Sequence, residues 1–435
     1  MKPQPFLWRQ LQASAGVLQS VRAGVSATAA LDSVDSVLRP GVQALAFLAL
    51  RHLGRALALR QLLAPRTPPP AADALLLMAL ALIWHDDHAP YDTFTLVNQT
   101  VEAANHSAAI KSKAAFINAC LRRFLRERDA LIALTERDPV ARWNHPVWWI
   151  ELLQTQWPAQ WQSILTANNA HAPLVLRVNA RKTTTTAYLA LLQSAGVSGQ
   201  SVGLWGVSLE VACAVKLIPG FAEGLVSVQD GAGQMAAPLL LSGWNGTQSP
   251  LRVLDACAAP GGKTAHLLEL ADLDVTALDV DAGRCELLRQ TLLRLGLQAR
   301  VIAADATDVP SWWDGQLFDA VLLDAPCSAS GVVRRHPDIR WLRRPTDIAQ
   351  LAQIQSRLLS VLWPLLKRGG RMLYGTCSVF KAEGDDQIKA FLANNTDARE
   401  LDSPGYLLPG PPVEGLVDNH DHDGFYYALL EKIAV

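Results

Sequence analysis

Two cysteines, each directly followed by a serine, are the residues of this chain best suited to covalent chemistry. Cys327 precedes Ser328 and Cys377 precedes Ser378, and each pair ends a predicted strand. A thiolate can attack a substrate, form a transient covalent bond and leave again. A buried cysteine is most often a small hydrophobic residue. Two of them at neighbouring strand ends predict a nucleophile and a second thiol that assists it.

A loop of small residues follows the first strand of the same region. Glycines and alanines between a strand and a helix allow backbone N–H groups to approach a ligand closely. The end of the loop resembles a phosphate-binding P-loop, but that motif requires glycine where Cys257 stands, which argues against a nucleoside triphosphate. We predict that a cofactor is bound by Cys257, Ala258, Ala259, Pro260, Gly261, Gly262 and Lys263.

Aspartates end the next two predicted strands. Asp279 lies 17 residues beyond Gly262, close to the spacing at which an acid binds ribose hydroxyls in dinucleotide folds. Asp305 ends the following strand, and its carboxylate is expected to accept a hydrogen bond from an adenine amino group. Each aspartate alone is more often a helix N-cap. Together with the loop they predict a nucleoside cofactor without phosphates, namely S-adenosylmethionine.

A methyl donor beside two thiols indicates methylation of carbon 5 of cytosine. That carbon becomes nucleophilic when a thiolate adds to carbon 6 of the ring, and a base must afterwards remove the proton from carbon 5. Asp324, protonated or sharing a proton, is expected to bind N3 and the exocyclic amine and to stabilise the adduct. Lys263 and the sulfonium are expected to lower the pKa of the attacking thiol.

The elements that must position these residues alternate between strand and helix from Leu251 onward. Such alternation predicts βαβ units and a mostly parallel sheet covered on both faces, with ligands at the carboxyl ends of the strands. The predicted strands are Leu251–Ala256, Asp274–Val280, Ala299–Ala303, Phe318–Asp324 and Arg371–Cys377, and the predicted helices are Ala282–Leu295 and Asp347–Lys367.

A length of 435 residues predicts more than one domain. Residues 1–135 carry Leu, Ala and Arg at helical spacing, which predicts an all-α domain. Residues 136–165 are predicted to be a helical linker. Residues 166–245 are predicted to form a small α+β subdomain, with a strand at Leu174–Val178 and a helix at Thr185–Ala195. Residues 246–435 are the predicted Rossmann-like catalytic domain.

Composition argues against several classes of protein. The formal net charge is -1, which neither indicates nor excludes a nucleic-acid partner. The apolar run Ala74–Trp84 is far shorter than the roughly 20 residues of a membrane span and predicts a buried helix. Arg9 and Arg22 interrupt any secretion signal. The six cysteines lack zinc or disulfide spacing, so we expect reduced thiols, no metal and a cytoplasmic location. Nothing in the sequence demands a dimer, and a monomer is expected.

A group of basic residues with one tryptophan follows the Cys327 loop. Arginines neutralise phosphates and an indole can stack on a base, although such a group is often a solvated helix end. Its position beside a predicted catalytic cysteine favours RNA. The target base must leave its stack to reach the thiol, which favours single-stranded or loosened RNA. We predict RNA contacts at Arg334, Arg335, Arg340, Trp341, Arg343 and Arg344.

In combination, the three motifs resemble those of the RsmB/Nop family of rRNA (cytosine-5-)-methyltransferases. They are the cofactor loop ending in Lys263, the run around Cys327 and the run around Cys377. The resemblance implies a class I S-adenosylmethionine-dependent methyltransferase fold, with Cys377 as the nucleophile and Cys327 assisting release of the product. It also implies cofactor contacts from Cys257–Lys263, Asp279, Asp305 and Asp324.

Further stretches extend the resemblance over nearly the whole chain. The N-terminal runs around Asn98 and Asn118 resemble a NusB-type RNA-binding domain, and residues 334–344 resemble the bacterial members that act on 16S rRNA. The resemblance therefore implies 16S rRNA, unassembled or loosened, as the partner. The chain departs from the family pattern at residues 231–234, at Gly384 and on both sides of Asp305.

Other functions stay open at this stage. A methyltransferase directed at tRNA or protein would share the catalytic domain, and mapping of the product distinguishes it. A non-catalytic RNA-binding assembly factor would not need both cysteines and an intact cofactor loop. An ATP-binding P-loop protein would need glycine in place of Cys257.

Overall fold

The computed structural model describes residues 5–85, 90–243, 250–410 and 421–434. Internal contacts divide the chain into two compact units. The first consists of the described residues up to Ala170 together with Val333–Pro345, and the second of the remaining described residues. The chain thus leaves the second unit after Val332, contributes one segment to the first and then returns. The finer division into four domains stays a prediction.

The first unit is helical. Its helices are α1 (Leu7–Arg22), α2 (Ala27–Asp32), α3 (Arg39–Arg51), α4 (Leu53–Leu63), α5 (Pro70–Ile83), α6 (Thr93–Asn105), α7 (Ala114–Arg126), α8 (Arg128–Thr135), α9 (Pro139–Trp143), α10 (Val147–Gln156) and α11 (Trp161–Asn169). Residues Ala72–Ile83 of α5 are all buried, which confirms the buried helix predicted from the apolar run. Asp73 is the only charged residue within α5, and it pairs with Arg22 at 2.7 Å.

The second unit begins with a small antiparallel sheet. Its strands are β1 (Leu174–Val178), β2 (Gly199–Val202), β3 (Gly206–Leu209) and β4 (Val226–Val228), with α12 (Thr185–Ser194) between β1 and β2, and α13 (Gly231–Gln234) and α14 (Ala236–Leu240) after β4. The strand order is β2–β3–β1–β4. The predicted strand at Leu174–Val178 is found with the same bounds, and the predicted helix ends one residue earlier than expected.

The remainder of the chain supplies a larger sheet and its helices. These elements are β5 (Leu251–Ala256), α15 (Gly262–Leu270), β6 (Leu273–Asp279), α16 (Ala282–Leu295), β7 (Arg300–Ala303), β8 (Phe318–Asp324), α17 (Ile339–Leu342), α18 (Pro345–Leu362), β9 (Leu366–Thr376), α19 (Asp385–Asn394), β10 (Ala398–Leu407) and β11 (Phe425–Lys432). Helix α17 lies in the segment that belongs to the first unit.

The larger sheet has seven strands in the order β10–β11–β9–β8–β5–β6–β7. Strands β9, β8, β5, β6 and β7 are mutually parallel, whereas β11 and β10 are antiparallel additions at one edge. The predicted Rossmann-like, mostly parallel sheet is therefore confirmed. Because the carboxyl ends of parallel strands share one edge, residues that follow β5, β6, β7, β8 and β9 are brought together there.

Two observations bear on membranes and metals. Among the described residues, no single helix is long and apolar enough to cross a membrane. Helices α3 and α4 together have the length and composition of a membrane span, but the pair is bent by 73° between them. Over the same residues, no group of three His, Cys, Asp or Glu side chains is arranged to hold a metal ion.

Candidate active site

The cofactor loop connects β5 to α15 and is fixed by the neighbouring strand. The backbone N–H groups of Cys257 and Ala258 both donate to the carbonyl of Leu278, at 3.0 and 2.7 Å. The N–H of Ala259 donates to Asp279 Oδ2 at 3.1 Å. Cys257 has a φ of 122°, so the chain turns sharply where a P-loop would carry glycine. The loop is therefore shaped by β6 and its terminal aspartate.

Gly261 is the position in this loop where only glycine fits. Its φ is +98°, and a Cβ atom there would lie 2.9 Å from Leu288 Cγ of α16. The absence of a side chain allows α15 to start at Gly262 while packing closely on α16. The first turn of α15 thus points its free N–H groups toward the edge of the sheet where the strands end.

A cavity of about 640 Å³ opens at this edge. It brings together residues that the sequence predicted from separate motifs, since its lining includes Cys257, Ala259, Asp279, Asp305, Asp324, Cys327 and Cys377. The lining also contains residues to which the sequence analysis assigned no function, among them Val280, Arg284, Ile354 and Arg357. Val280 directly follows Asp279 and could have been found from that position, whereas the other three lie on helices without a recognisable motif.

The two predicted cofactor aspartates differ in their surroundings. Asp279 is buried and binds the backbone, accepting from the N–H groups of Ala259 and Asp281. Asp305 is exposed, and its Oδ1 accepts from the backbone N–H of Thr307 at 2.8 Å and from the Thr307 hydroxyl at 2.9 Å. These hydrogen bonds lower the pKa of Asp305, so its carboxylate is charged at neutral pH.

Lys263 and Asp324 form an ion pair at the edge of the cavity. Lys263 Nζ lies 2.6 Å from Asp324 Oδ2 and 5.2 Å from the centre of the Phe425 ring. Burial by itself lowers the pKa of Lys263, but the charge of Asp324, with smaller contributions from Tyr427 and Cys377, raises it above its usual value. Lys263 is therefore a cation, and it supplies the proton that Asp324 was expected to share.

The two thiols meet at the ends of β8 and β9. Cys327 Sγ lies 3.4 Å from Cys377 Sγ. Strands β8 and β9 are adjacent and parallel, with Asp324 opposite Gly375, so residues a few positions beyond each strand fall side by side. The hydrogen bond to Cys377 raises the pKa of Cys327 well above its usual value, and burial and the charges of Cys377 and Glu383 raise it further. Cys327 thus tends to keep its proton, and either thiol can be the donor in this contact.

A buried hydrogen-bond network surrounds the residues that follow the two cysteines. Glu383, Ser328, Ser378 and Gln355 are each 0% exposed and are joined to one another through the Glu383 carboxylate. The sequence analysis assigned no function to these side chains. Two features of the sequence could have indicated this network, namely the serine after each cysteine and the acidic residue Glu383 a few positions beyond Ser378.

The structure corrects two of the predicted RNA contacts. Arg334 and Arg340 are only 1% and 0% exposed, inside the helical unit. The Arg340 guanidinium donates to the carbonyls of Asn144 at 3.1 Å and Asn168 at 2.6 Å, and also to the side chain of Asn169. Arg340 therefore ties the ends of α9 and α11 together. The prediction that Arg334 and Arg340 contact RNA is wrong, because neither guanidinium reaches the surface.

The other members of the basic group differ in exposure. Trp341 is half-buried against the helical core, and its Nε1 donates to the Leu50 carbonyl at 2.9 Å. Arg335 and Arg343 are half-buried, and Arg344 is exposed. RNA contact at these four positions stays a prediction.

Two solved structures share the architecture described above. The crystal structure of PH0851 superposes with a TM-score of 0.75 over 97% of this chain and 99% of that one, at 25% sequence identity. A methyltransferase homologue from Pyrococcus horikoshii superposes with a TM-score of 0.56 over 68% of this chain and 98% of that one, at 26% identity. With the parallel sheet and the cavity at its carboxyl edge, these likenesses define a Rossmann-like class I methyltransferase fold.

The chain belongs to the family described as 16S rRNA methyltransferase RsmB/F, whose sequence model matches residues 245–431. A model of the ferredoxin-like domain of RsmF/B-like methyltransferases matches residues 145–216. The ribosomal RNA small subunit methyltransferase B of Pseudomonas putida is 46% identical over 94% of each chain. The protein of the same name from Vibrio cholerae is 39% identical over 97% of this chain and 96% of that one. The family expected from the three motifs is thereby confirmed.

Proposed function

We propose that this protein transfers the methyl group of S-adenosylmethionine to carbon 5 of a cytosine in 16S rRNA, through a transient bond between Cys377 Sγ and carbon 6. The observation that carries the proposal is the 3.4 Å separation of Cys327 Sγ and Cys377 Sγ at the wall of the cavity. The names of the relatives supply the class of RNA. A helical domain that binds RNA, at residues 1–135, is part of the same proposal.

The residues of the cavity fit a nucleoside cofactor. Val280 and Ile354 expose aliphatic side chains to it, 74% and 46% exposed, and these offer apolar surface to an adenine ring. Asp279 ends β6 at the position for ribose hydroxyls, and the charged Asp305 suits an amino group. The loop from Cys257 to Lys263 closes the remaining side. When bound, S-adenosylmethionine supplies an electrophilic methyl group on a positively charged sulfur.

Cys377 is the proposed nucleophile because its neighbour Cys327 holds a proton firmly. A thiol that donates toward a second sulfur stabilises negative charge on that sulfur, as does the cation of Lys263 nearby. The Cys377 thiolate adds to carbon 6, and the electron pair displaced from the ring double bond makes carbon 5 nucleophilic.

Asp324 and Lys263 are proposed to orient the cytosine and to stabilise the adduct. The Asp324 carboxylate accepts from the exocyclic amine, and the ammonium of Lys263, 2.6 Å from Asp324 Oδ2, provides the proton that N3 needs as negative charge develops there. Asp324 is held at the end of β8 and Lys263 at the start of α15 before the substrate binds, so little reorganisation is required.

Cys327 is proposed to release the product. As the bond between carbon 6 and Cys377 breaks, the Cys327 thiol returns a proton to Cys377 across the 3.4 Å gap. The resulting Cys327 thiolate takes the proton from carbon 5, and the ring double bond forms again. N3 gives its proton back to Lys263 at the same stage. Both cysteines are then protonated, and the one proton that methylation liberates passes to solvent before the next cycle.

The test is incubation of the purified protein with labelled methyl donor and unmodified 16S rRNA. We expect label in 5-methylcytosine with the natural protein, none with Cys377→Ala, and a persistent covalent protein–RNA adduct with Cys327→Ala. Label in tRNA but not in rRNA would leave the chemistry in place and overturn the substrate. Methylation by Cys377→Ser at the natural rate would overturn the nucleophile. Binding of RNA without methylation by the natural protein would favour an assembly factor.

A further inference from the structure

The carboxylate of Glu383 connects the two chain segments that carry the thiols. Its Oε1 accepts from the backbone N–H of Ser328 at 2.8 Å. Its Oε2 accepts from the Ser328 hydroxyl at 2.5 Å and from the Ser378 hydroxyl at 2.6 Å. Ser328 directly follows Cys327, and Ser378 directly follows Cys377. One side chain therefore holds both residues that adjoin the thiols.

A third segment reaches the same carboxylate. Gln355 Nε2, from α18, donates to Glu383 Oε1 at 3.2 Å and to the carbonyl of Pro326 at 2.9 Å. Pro326 is the residue before Cys327, so this loop is held on both sides of its thiol. Ser330 Oγ lies 2.9 Å from Ser378 Oγ and adds a second link between the loops.

The chemistry of this network is unusual for a purely structural contact. Glu383 is 0% exposed, and no Lys, Arg or His of the described part of the chain forms an ion pair with it. A buried carboxylate without a cation is costly and has to be satisfied by hydrogen bonds. Hydrogen bonds to a charged acceptor are shorter and more directional than those between neutral groups, so they fix geometry more tightly. The hydrogen bonds of the Glu383 carboxylate thus hold the two loops in one arrangement.

We infer that Glu383 is a positioning residue, which sets the separation of the two catalytic thiols by binding the serine that follows each of them. The inference rests on the proposed roles of Cys327 and Cys377. Glu383 is not among the residues that line the cavity, and it acts through Ser328 and Ser378. Its negative charge also contributes to the raised pKa of Cys327, behind the hydrogen bond to Cys377 and burial.

The test uses three variants of the full chain. Glu383→Ala removes the link. Glu383→Gln keeps the size of the side chain, accepts through its amide oxygen, and donates through its NH2 group to the serine hydroxyls, which can rotate to accept. Tyr374→Phe is the matched control, because the Tyr374 hydroxyl donates to the backbone carbonyl of Glu383 at 2.9 Å and its loss weakens the same turn without touching the carboxylate.

The first readout needs no RNA. Phenylarsine oxide forms two bonds from arsenic to sulfur, with release of water, only where two thiols lie side by side. Binding of phenylarsine oxide to the two thiols should be lost in Cys327→Ala. In Glu383→Ala its affinity should fall about tenfold, because hydrogen bonds to a charged group are lost. Glu383→Gln and Tyr374→Phe should retain it. Equal capture by Glu383→Ala and the natural protein, both folded, would overturn the inference.

The second readout follows the covalent adduct with unmodified rRNA. Displacement of Cys327 from Cys377 should slow release more than attack, so Glu383→Ala should accumulate adduct while forming product more slowly. If Glu383 were merely structural, Glu383→Ala would lower the amount of adduct and the rate of product formation alike, in proportion to the folded fraction measured by circular dichroism. That result would contradict the inference that Glu383 positions the thiols. If Glu383→Ala does not fold, Ser378→Ala, which removes one of the two serine links, replaces it with the same expected direction. Absence of adduct in Cys327→Ala would instead refute the proposed function, whatever arsenical capture shows for the natural protein and Glu383→Ala.

Discussion

Lys263 Nζ lies 2.6 Å from Asp324 Oδ2, so the last residue of the cofactor loop is paired with the last residue of β8. The contact joins two motifs that are 61 positions apart in the chain. It places a cation between the predicted cofactor loop and the carboxylate proposed to hold the cytosine. The charge of Asp324 is therefore balanced by Lys263 in the structure, and the proposed function gives Lys263 a part in base recognition as well as in the loop.

Replacement of Lys263 by methionine should slow methyl transfer. Asp324 would lose its charged partner, and the loss of such a hydrogen bond is worth about 1.5–3 kcal/mol, or roughly 10- to 100-fold in rate. Single-turnover kinetics with saturating RNA measure it. The matched control is Lys367→Met, because Lys367 pairs with Asp319 at 2.7 Å at the opposite edge of the same sheet. Equal rates for Lys263→Met and the natural protein would remove Lys263 from the mechanism.

A second prediction concerns the dependence of stability on pH. Asp255 is fully buried, and burial raises the pKa of its carboxyl to about 7, although the hydrogen bond from Thr264 opposes the shift. A raised pKa in the folded state means that the folded protein binds the proton more tightly than the unfolded chain. The contribution of Asp255 to stability is therefore present below about pH 4, the unfolded value. It is lost as pH rises through about 7.

Denaturation by urea at pH 5 and pH 8 tests this expectation. His145 and His266, whose pKa values burial lowers, change stability in the opposite direction, so the natural protein alone does not isolate Asp255. Asp255→Asn, which keeps the shape and cannot ionise, provides the comparison. The natural protein should lose stability relative to the variant by a few kcal/mol between the two pH values. A difference that is independent of pH would show that Asp255 stays ionised in the fold.

Most of the larger sheet was predictable because its pattern is local. The bounds of β5, β8 and α16 agree with the predicted ones, since apolar runs and turn residues fix them without reference to the rest of the chain. Strand β10 was not predicted. It lies at the edge of the sheet, none of its residues is buried, and its sequence does not alternate apolar with polar residues.

The sequence predicted which cofactor and thiol residues lie together better than it predicted which basic residues lie at the surface. The former follow strands, and the order of parallel strands brings them to one edge. Arg334 and Arg340 were misassigned because composition does not tell which face of a segment is buried. That depends on residues about 200 to 280 positions away, such as Asn144 and Arg51, whose Nη2 donates to the carbonyl of Arg334 at 2.7 Å.

Gly331 should tolerate no side chain. A Cβ atom there would lie 2.0 Å from the carbonyl oxygen of Gly424, while the N–H of Gly331 donates to the carbonyl of Cys377 at 2.9 Å. Gly331→Ala must therefore displace either the end of β9 or the segment before β11, and we expect at least a tenfold loss of adduct formation. Gly16→Ala, at a helical position with nothing within 4 Å of the added Cβ, should be neutral or stabilise by about 1 kcal/mol. Adduct formation by Gly331→Ala at the natural rate would contradict the close approach.

Arg177 should be among the residues on which the second unit depends for stability. It is 0% exposed, and it binds both oxygens of Glu269 at 2.8 Å and the carbonyl of Gly262 at 2.7 Å. Arg177→Met leaves Glu269 buried and unpaired, which costs about 3–5 kcal/mol. The double variant Arg177→Met with Glu269→Leu should recover much of this loss. Chemical denaturation of Arg177→Met, Glu269→Leu and the double variant measures the coupling, and strictly additive losses would show that the pair does not interact.

The last prediction separates the surface arginines from the buried one. Arg343→Ala with Arg344→Ala should weaken RNA binding and reduce the slope of log affinity against log salt by about 1.4–1.8, the contribution of two phosphate contacts. Arg340→Met should instead lower the unfolding free energy by about 1–3 kcal/mol or more, because the carbonyls that its guanidinium binds lose their donor. Filter binding across a salt series measures the first effect and thermal unfolding the second. Arg289→Ala, an exposed arginine of α16, is the control for loss of charge. If the slope of log affinity against log salt were unchanged in the double variant but reduced in Arg289→Ala, RNA would bind near α16 and not at Arg343 and Arg344.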